Sequence, residues 1–252
     1  MFFKEVYKPR ISDYDRNGKL SYEAILQILE NVASNHSASA GDSVSDANKS
    51  GIAWILTEWR VKILRRPESD EILNITTWVR GKAPASIVYR DFILKDKDGV
   101  DVIRAEAKFA LLDLITSRLT RINEELFAAY GPEERTVFDN ISRLRTPSRY
   151  TAERELALRC SDIDFNGHVH NTKYVDFALQ ALPQNILYAD IITEIQVVYT
   201  KPVKDNDNVR LKYLETEEGH IVSVTVDGLP YAIIKIKGKG QDNVNINKIK
   251  KV

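Results

Sequence analysis

The hydrophobic and polar positions of this chain form one pattern that occurs twice. After a short strand at residues 3–8, Ile25, Ile28, Leu29, Val32, Ala33 and His36 recur at the 3, 4, 7 and 8 spacing of a single helix face. Gly41 and the Ser/Asp/Asn-rich run to Gly51 end that helix. From Ile52 the texture changes to β, with strands predicted near 52–65, 71–80, 86–95 and 100–115. Leu73, Ile75, Thr77 and Val79 alternate with Ile72, Asn74, Thr76 and Trp78, the period of a strand exposed on one side. Lys95-Asp96-Lys97-Asp98-Gly99 supplies a hairpin turn between the last two strands. A short helix near 123–130 leads into 131–153, a Pro-, Arg- and Ser-rich stretch that reads as a linker.

The second half repeats this plan. Leu156, Leu158 and Cys160 alternate on one strand face, a helix is predicted over 171–182, and strands follow near 191–201, 208–216, 219–227 and 230–238. The repetition is visible in the letters. Ser12-Asp13-Tyr14-Asp15-Arg16-Asn17-Gly18-Lys19 returns as Ser161-Asp162-Ile163-Asp164-Phe165-Asn166-Gly167-His168, an offset of 161 − 12 = 149. Thr57-Glu58 with Val61 likewise matches Thr193-Glu194 with Val197. The expected organisation is a first module at 1–130, the linker at 131–153, a second module at 154–238 and a fraying basic tail at 239–252. One helix followed by antiparallel strands, twice over, predicts an α+β protein of two tandem hotdog modules, each a curved sheet wrapped around a central helix. Two such modules cover their edges by pairing sheet to sheet; whether two copies also form a homodimer stays open.

Composition narrows the function classes. With 36 basic and 36 acidic residues, the net charge is zero, which favours neither nucleic acid nor a membrane surface as a partner. The single cysteine excludes an intramolecular disulfide and a cysteine zinc cluster, and fits a reducing, cytoplasmic location. Charges within the first five residues argue against a secretory leader, and no apolar run reaches the ~20 residues of a membrane span.

Asp164, Asn166 and His168 hold the candidate chemistry. They occupy alternate positions just before the second helix, and an imidazole there can exchange protons near neutral pH. A carboxylate, an amide and an imidazole beside helix N–H donors fit hydrolysis of an activated acyl group, with Asp164 or His168 activating water or attacking directly. The competing reading is a plain Asx turn, which the first copy supports because it keeps Asp15 and Asn17 but carries Lys19 in place of the imidazole. A metal held by Asp164, His168 and His170 lacks a further ligand cluster, so no metal is expected. Cys160 reads as a core residue, and His36 and His220 as structural or solvent-facing. No Gly-x-Ser-x-Gly or Gly-x-Gly-x-x-Gly motif occurs, and no cofactor is expected.

Asp164-Phe165-Asn166-Gly167-His168-Val169-His170-Asn171, followed by Lys173-Tyr174, resembles the Asp-x-Asn-x-His-Val-Asn-Asn-x-x-Tyr signature of acyl-acyl-carrier-protein thioesterases. Asn35-His36, Ala40-Gly41, Trp54 with Thr57, Thr77-Trp78-Val79, Arg90-Asp91 and Leu112–Arg118 extend the resemblance into the first module. It implies a double hotdog enzyme that releases fatty acids from the phosphopantetheine-linked chain on acyl carrier protein, with Asp164, Asn166 and His168 as catalytic positions. Asn171 and Tyr174 would contact substrate, and Ile25, Leu29, Val32, Trp54 and Trp78 would line or support an acyl tunnel or simply pack a core. The chain departs from the family at His170, commonly Asn, and at Pro202 and Val203, where plant members carry a catalytic Glu and a Cys. Glu194 is a poor stand-in, since it lies roughly 26 Å back along a strand at about 3.3 Å per residue. Because carrier protein is acidic, Arg135, Arg143, Arg145, Arg149 and Arg154, with Arg65 and Arg66, are candidate docking residues. An acyl-coenzyme A thioesterase and a non-catalytic acyl-binding or lipid-sensing module remain as rival readings.

Overall fold

A computed structural model describes residues 1–43, 45–46, 50–81, 86–139, 143–188 and 190–239. Most of the expected tail, 240–252, lies outside the described residues. The chain forms two compact units, Met1–Ile141 and Ser142–Val252.

In the first unit, β1 (Phe3–Tyr7) precedes α1 (Tyr22–Ser39), and β2 (Ile52–Ile63), β3 (Leu73–Val79), β4 (Ile87–Lys95), β5 (Asp101–Asp113) and the short β6 (Arg118–Leu119) follow, with α2 (Glu124–Ala129) last. The strands pair antiparallel in the order β1-β3-β4-β5-β2, with β6 on β5. The second unit begins with β7 (Ala152–Leu156), continues through α3 (Lys173–Ala181) and α4 (Gln184–Tyr188), and ends with β8 (Ile192–Tyr199), β9 (Val209–Thr216), β10 (Gly219–Val226) and β11 (Leu229–Gly238). Its order is β7-β9-β10-β11-β8, again antiparallel throughout. Counted within each unit, both sheets read 1-3-4-5-2, with the long helix between strands 1 and 2. That is the tandem hotdog arrangement the sequence predicts.

The helices form for local reasons that also bury them. Ser21 caps α1 by accepting the Ala24 N–H at 3.1 Å. Ala24, Ile25, Leu26, Ile28, Leu29, Val32 and Ala33 are all buried, so α1 is apolar around more than the one face its spacing predicts. Between β4 and β5, Asp96 Oδ1 accepts the Asp98 and Val100 N–H groups at 3.0 and 2.9 Å, which closes the hairpin.

Two local expectations are corrected. β3 is exposed on one side only in its first half, because Trp78 is fully buried, edge-on to Phe2 at 5.2 Å and donating its indole N–H to the Arg135 carbonyl at 2.7 Å. Cys160 is exposed rather than core: β7 ends at Leu156, and Cys160 opens a 3-10 turn, Cys160–Asp162, where strand alternation no longer applies.

His36, on the last turn of α1, is fully buried, and its Nδ1 lies 2.6 Å from Arg90 of β4. Arginine can only donate, so Nδ1 accepts and Nε2 carries the proton. Phe3 stacks on the ring at 5.1 Å, and burial first, then the Arg90 charge, lowers the imidazole pKa to about 4. Above about pH 6.5 the residue is neutral in both folded and unfolded chains. Between pH 6.5 and 4 only the unfolded chain takes up the proton, so stability falls with pH, by on the order of 3 kcal/mol for a fully expressed shift. His36→Gln keeps an acceptor for Arg90. Urea titrations from pH 7 to pH 4 should therefore show a shallower acid loss in this variant than in the parent, and parallel pH curves would refute the assignment.

Candidate active site

Asp164, Asn166 and His168 share one tight turn, framed by a bridge between Ile163 and Val169. Asp164 Oδ1 accepts the N–H of Asn166 at 2.8 Å and of His168 at 3.0 Å, and the Asp164 N–H donates to the His168 carbonyl at 2.7 Å. Gly167 adopts φ +76°, a left-handed conformation that glycine reaches without strain. Upstream, the Arg159 N–H donates to buried Asp162 Oδ2 at 2.8 Å, and downstream the His170 N–H donates to the Asp162 carbonyl at 2.9 Å.

The first unit reproduces this turn bond for bond. Asp15 Oδ1 accepts the N–H of Asn17 at 2.8 Å and of Lys19 at 3.2 Å; the Asp15 N–H donates to the Lys19 carbonyl at 2.8 Å; Gly18 sits at φ +69°. Leu20 N–H to the Pro67 carbonyl and Val169 N–H to the Val203 carbonyl are both 2.8 Å. The Asx-turn reading therefore holds in both copies, and chemistry must come from what the scaffold presents.

The two copies present different groups. In the first, Asp15 Oδ2 is engaged by Arg66 at 2.6 Å, whose side chain is 4% exposed and packs over the Tyr22 ring at 4.6 Å. The neighbouring Arg65 pairs with Glu71 at 2.6 Å and with Asp96 at 3.1 Å. Arg65 and Arg66 are thus committed within their own unit, and buried Arg66 is removed from the candidate docking patch. Arg143, Arg145, Arg149 and Arg154 of the second unit are exposed.

Matching Pro67 to Val203 places Pro202 where Arg66 stands and Lys201 where Arg65 stands. Proline offers no cation, and Lys201 lies over the Tyr231 ring at 5.6 Å. Asp164 Oδ2 accordingly carries no hydrogen bond or ion pair among the described residues, and neither does the half-buried His168 ring. Asp164 and His168 face each other across this turn, where paired residues have Cβ atoms ~5 Å apart.

Of the predicted substrate contacts, Tyr174 is buried on α3, and its hydroxyl accepts the Val203 N–H at 3.0 Å. Burial pushes that hydroxyl up to about 12; the Val203 bond works against the shift, and the Asp207 and Asp164 carboxylates add to it. Sequence reasoning missed Asp207, whose Oδ2 accepts the Lys204 N–H at 2.8 Å as Glu71 accepts the Glu68 N–H at 3.0 Å. The register that pairs these two turns is the signal that exposes it. Asn171 is exposed and uses its carbonyl to accept the Tyr199 hydroxyl at 2.8 Å. Ile25, Leu29, Val32 and Trp78 are buried in the first unit, and half-buried Trp54 donates to Asp42 at 2.6 Å. Glu194 is nearly buried, with Lys237 3.4 Å away. Among the described residues no three His, Cys, Asp or Glu side chains converge to hold a metal, and no helix is long and apolar enough to cross a membrane.

Comparison with known proteins matches both units. The acyl-ACP thioesterase N-terminal domain family matches residues 1–130, and the acyl-ACP thioesterase C-terminal domain family matches residues 146–247. The chain is 26% identical over 274 residues to an oleoyl-acyl carrier protein thioesterase of Coriandrum sativum, covering 94% of this chain and 73% of that one. It is 24% identical over 218 residues to a dodecanoyl-[acyl-carrier-protein] hydrolase of Cinnamomum camphora, covering 80% of this chain and 56% of that one. Its fold is that of an acyl-ACP thioesterase from Bacteroides thetaiotaomicron, with a TM-score of 0.85 at 22% identity over 94% of this chain and 97% of the other. The 12:0-ACP thioesterase of Umbellularia californica aligns with a TM-score of 0.81 at 20% identity, over 94% and 96%.

Proposed function

The chain belongs to the acyl-ACP thioesterase family, and from that premise we propose that it hydrolyses fatty acyl thioesters of acyl carrier protein at Asp164 and His168. The observation that carries this reading is the difference between two otherwise matching turns: one aspartate is neutralised by arginine, and the other is open beside an imidazole.

In the proposed reaction, a water oxygen attacks the thioester carbonyl carbon while Asp164 or His168 takes its proton, and the carbonyl π pair moves onto oxygen. Collapse of that intermediate breaks the C–S bond, and the departing thiolate recovers the proton. The products are one carboxylic acid and one thiol. Asp164 Oδ1 stays occupied by two backbone N–H groups and fixes the carboxylate, which leaves Oδ2 open toward the water. Pro202 then marks no lost function, since an acid at that position is unnecessary if Asp164 itself is open. A reducing, cytoplasmic setting is part of the same proposal, in keeping with one exposed cysteine.

The test is turnover of a panel of acyl carrier protein thioesters and of the matching coenzyme A thioesters. Preferential hydrolysis of the carrier-protein series supports the proposal. Equal or better use of coenzyme A would replace it with the coenzyme A reading, and tight binding without release of acid would replace it with an acyl-binding module. Docking to an acidic carrier gives a second expectation. Reversing charge at Arg143, Arg145, Arg149 and Arg154 should raise KM for the carrier-protein substrate several-fold with kcat little changed, and raised salt should mimic this in the parent. A KM indifferent to both would remove these arginines from the docking surface.

A further inference from the structure

Position 204 differs between the two copies in a way the proposed mechanism does not yet use. His168 and Lys204 form an antiparallel bridge pair, as Lys19 and Glu68 do in the first unit. Bridge partners project their side chains to the same face with Cβ atoms about 4.5–5.5 Å apart. Asp164, His168 and Lys204 therefore stand in a row across three backbone segments on one face: carboxylate, imidazole, ammonium.

The Lys204 backbone is fixed, because its N–H donates to Asp207 Oδ2 at 2.8 Å and its carbonyl accepts the Asp207 N–H at 3.2 Å. Its side chain is exposed, and no hydrogen bond or ion pair engages the ammonium among the described residues. In the first unit the cation sits two residues earlier, at Arg66, and neutralises Asp15, while position 68 is acidic. From the first unit to the second, the positive charge has moved off the aspartate and now stands opposite the imidazole.

We propose that Lys204 is a further catalytic residue of this site, its ammonium facing the thioester carbonyl oxygen that becomes negative when water adds. The inference rests on the proposed hydrolysis at Asp164 and His168. No bond to Lys204 forms or breaks: the carbonyl π pair moves to oxygen, the ammonium lies against that charge, and the pair returns when the C–S bond breaks. A preorganised donor at a developing oxyanion is worth up to about 10²–10³-fold in kcat. A lysine on a flexible stem, in contact with solvent, falls below that, at roughly 10- to 100-fold.

The experiment compares the parent with Lys204→Met, Lys204→Arg and Lys204→Glu on two substrates: an acyl carrier protein thioester, and the same acyl group on N-acetylcysteamine, which has no charge and no protein to dock. Lys204→Met keeps the stem of an exposed side chain, so folding should be intact by thermal melt. The expected result is a 10- to 100-fold fall in kcat on both substrates for Lys204→Met, a larger fall for Lys204→Glu, and recovery to within several-fold by Lys204→Arg. Glu68→Lys in the first unit should change neither. A Lys204→Met effect confined to KM for the carrier-protein substrate would overturn the proposal and make Lys204 a docking residue. Activity within threefold of the parent on both substrates would overturn it outright. If the parent hydrolyses no thioester, the reading of the whole site fails and this inference with it. If the parent is active and only the lysine variants are silent in effect, the inference alone fails.

Discussion

Asp164→Asn will leave the turn folded and lower the turnover number for acyl carrier protein thioesters by about 10²–10⁴-fold. The substitution separates the two duties of this carboxylate. Asparagine keeps an Oδ1 that can accept the Asn166 and His168 N–H groups, now held at 2.8 and 3.0 Å, so the scaffold should survive with a thermal midpoint close to that of the parent. It removes the charge and basicity of Oδ2, the atom left open by Pro202. His168→Ala tests the other half of the pair. The ring makes no hydrogen bond among the described residues, so its loss should cost little stability while reducing kcat over the same range. Stopped assays of free fatty acid release, with melts on the same preparations, measure both quantities. Full activity in both variants would sink the site assignment; loss of activity together with loss of the fold would leave Asp164 a turn residue only.

Pro202→Arg should silence the site by supplying the cation that the first unit has and the second lacks. Because the Leu20–Pro67 and Val169–Val203 hydrogen bonds match at 2.8 Å, an arginine at 202 stands to Asp164 as Arg66 stands to Asp15, where the pair closes to 2.6 Å. A charge-assisted bond of that kind occupies the open oxygen and closes it to water. The expected loss is at least about 100-fold in kcat, the lower end of what a general base contributes. Pro202→Ala supplies no cation and should stay within a few-fold of the parent. An active Pro202→Arg enzyme would mean that Asp164 does not work through its free oxygen.

Much of this was legible in the sequence, and the parts that were not share a cause. The 3- and 4-residue spacing from Ile25 to His36 locates α1, and alternation locates most strands, because both reflect burial of side chains near in sequence. The repeat at offset 149 marks the turn, and Thr57 with Thr193 marks a second offset of 193 − 57 = 136. The difference of 13 residues reflects shortening between turn and strand, with α3 at 9 residues against 18 for α1. What spacing could not show was pairing across long separations. Arg66 reads as a surface cation until Asp15, 51 residues away, is seen to hold it. Cys160 reads as core only while strand alternation continues, and a 3-10 turn beyond the end of β7 breaks that period. The second offset also aligns Arg66 with Pro202 and Glu68 with Lys204, so the charge relocation was written in the letters; its meaning needed the hydrogen bonds.

The paired turns also act as a thermodynamic reference for each other inside one molecule. Asp15→Asn and Asp164→Asn remove the same charge from matching backbone frames. Subtracting the stability change of the first-unit variant from that of its second-unit twin cancels the shared cost of the Asx turn. The remainder is what each unit spends or gains on the group that differs, an ion pair in one and an open carboxylate in the other. Here it can show how much folding free energy is given up to keep a carboxylate unpaired for chemistry.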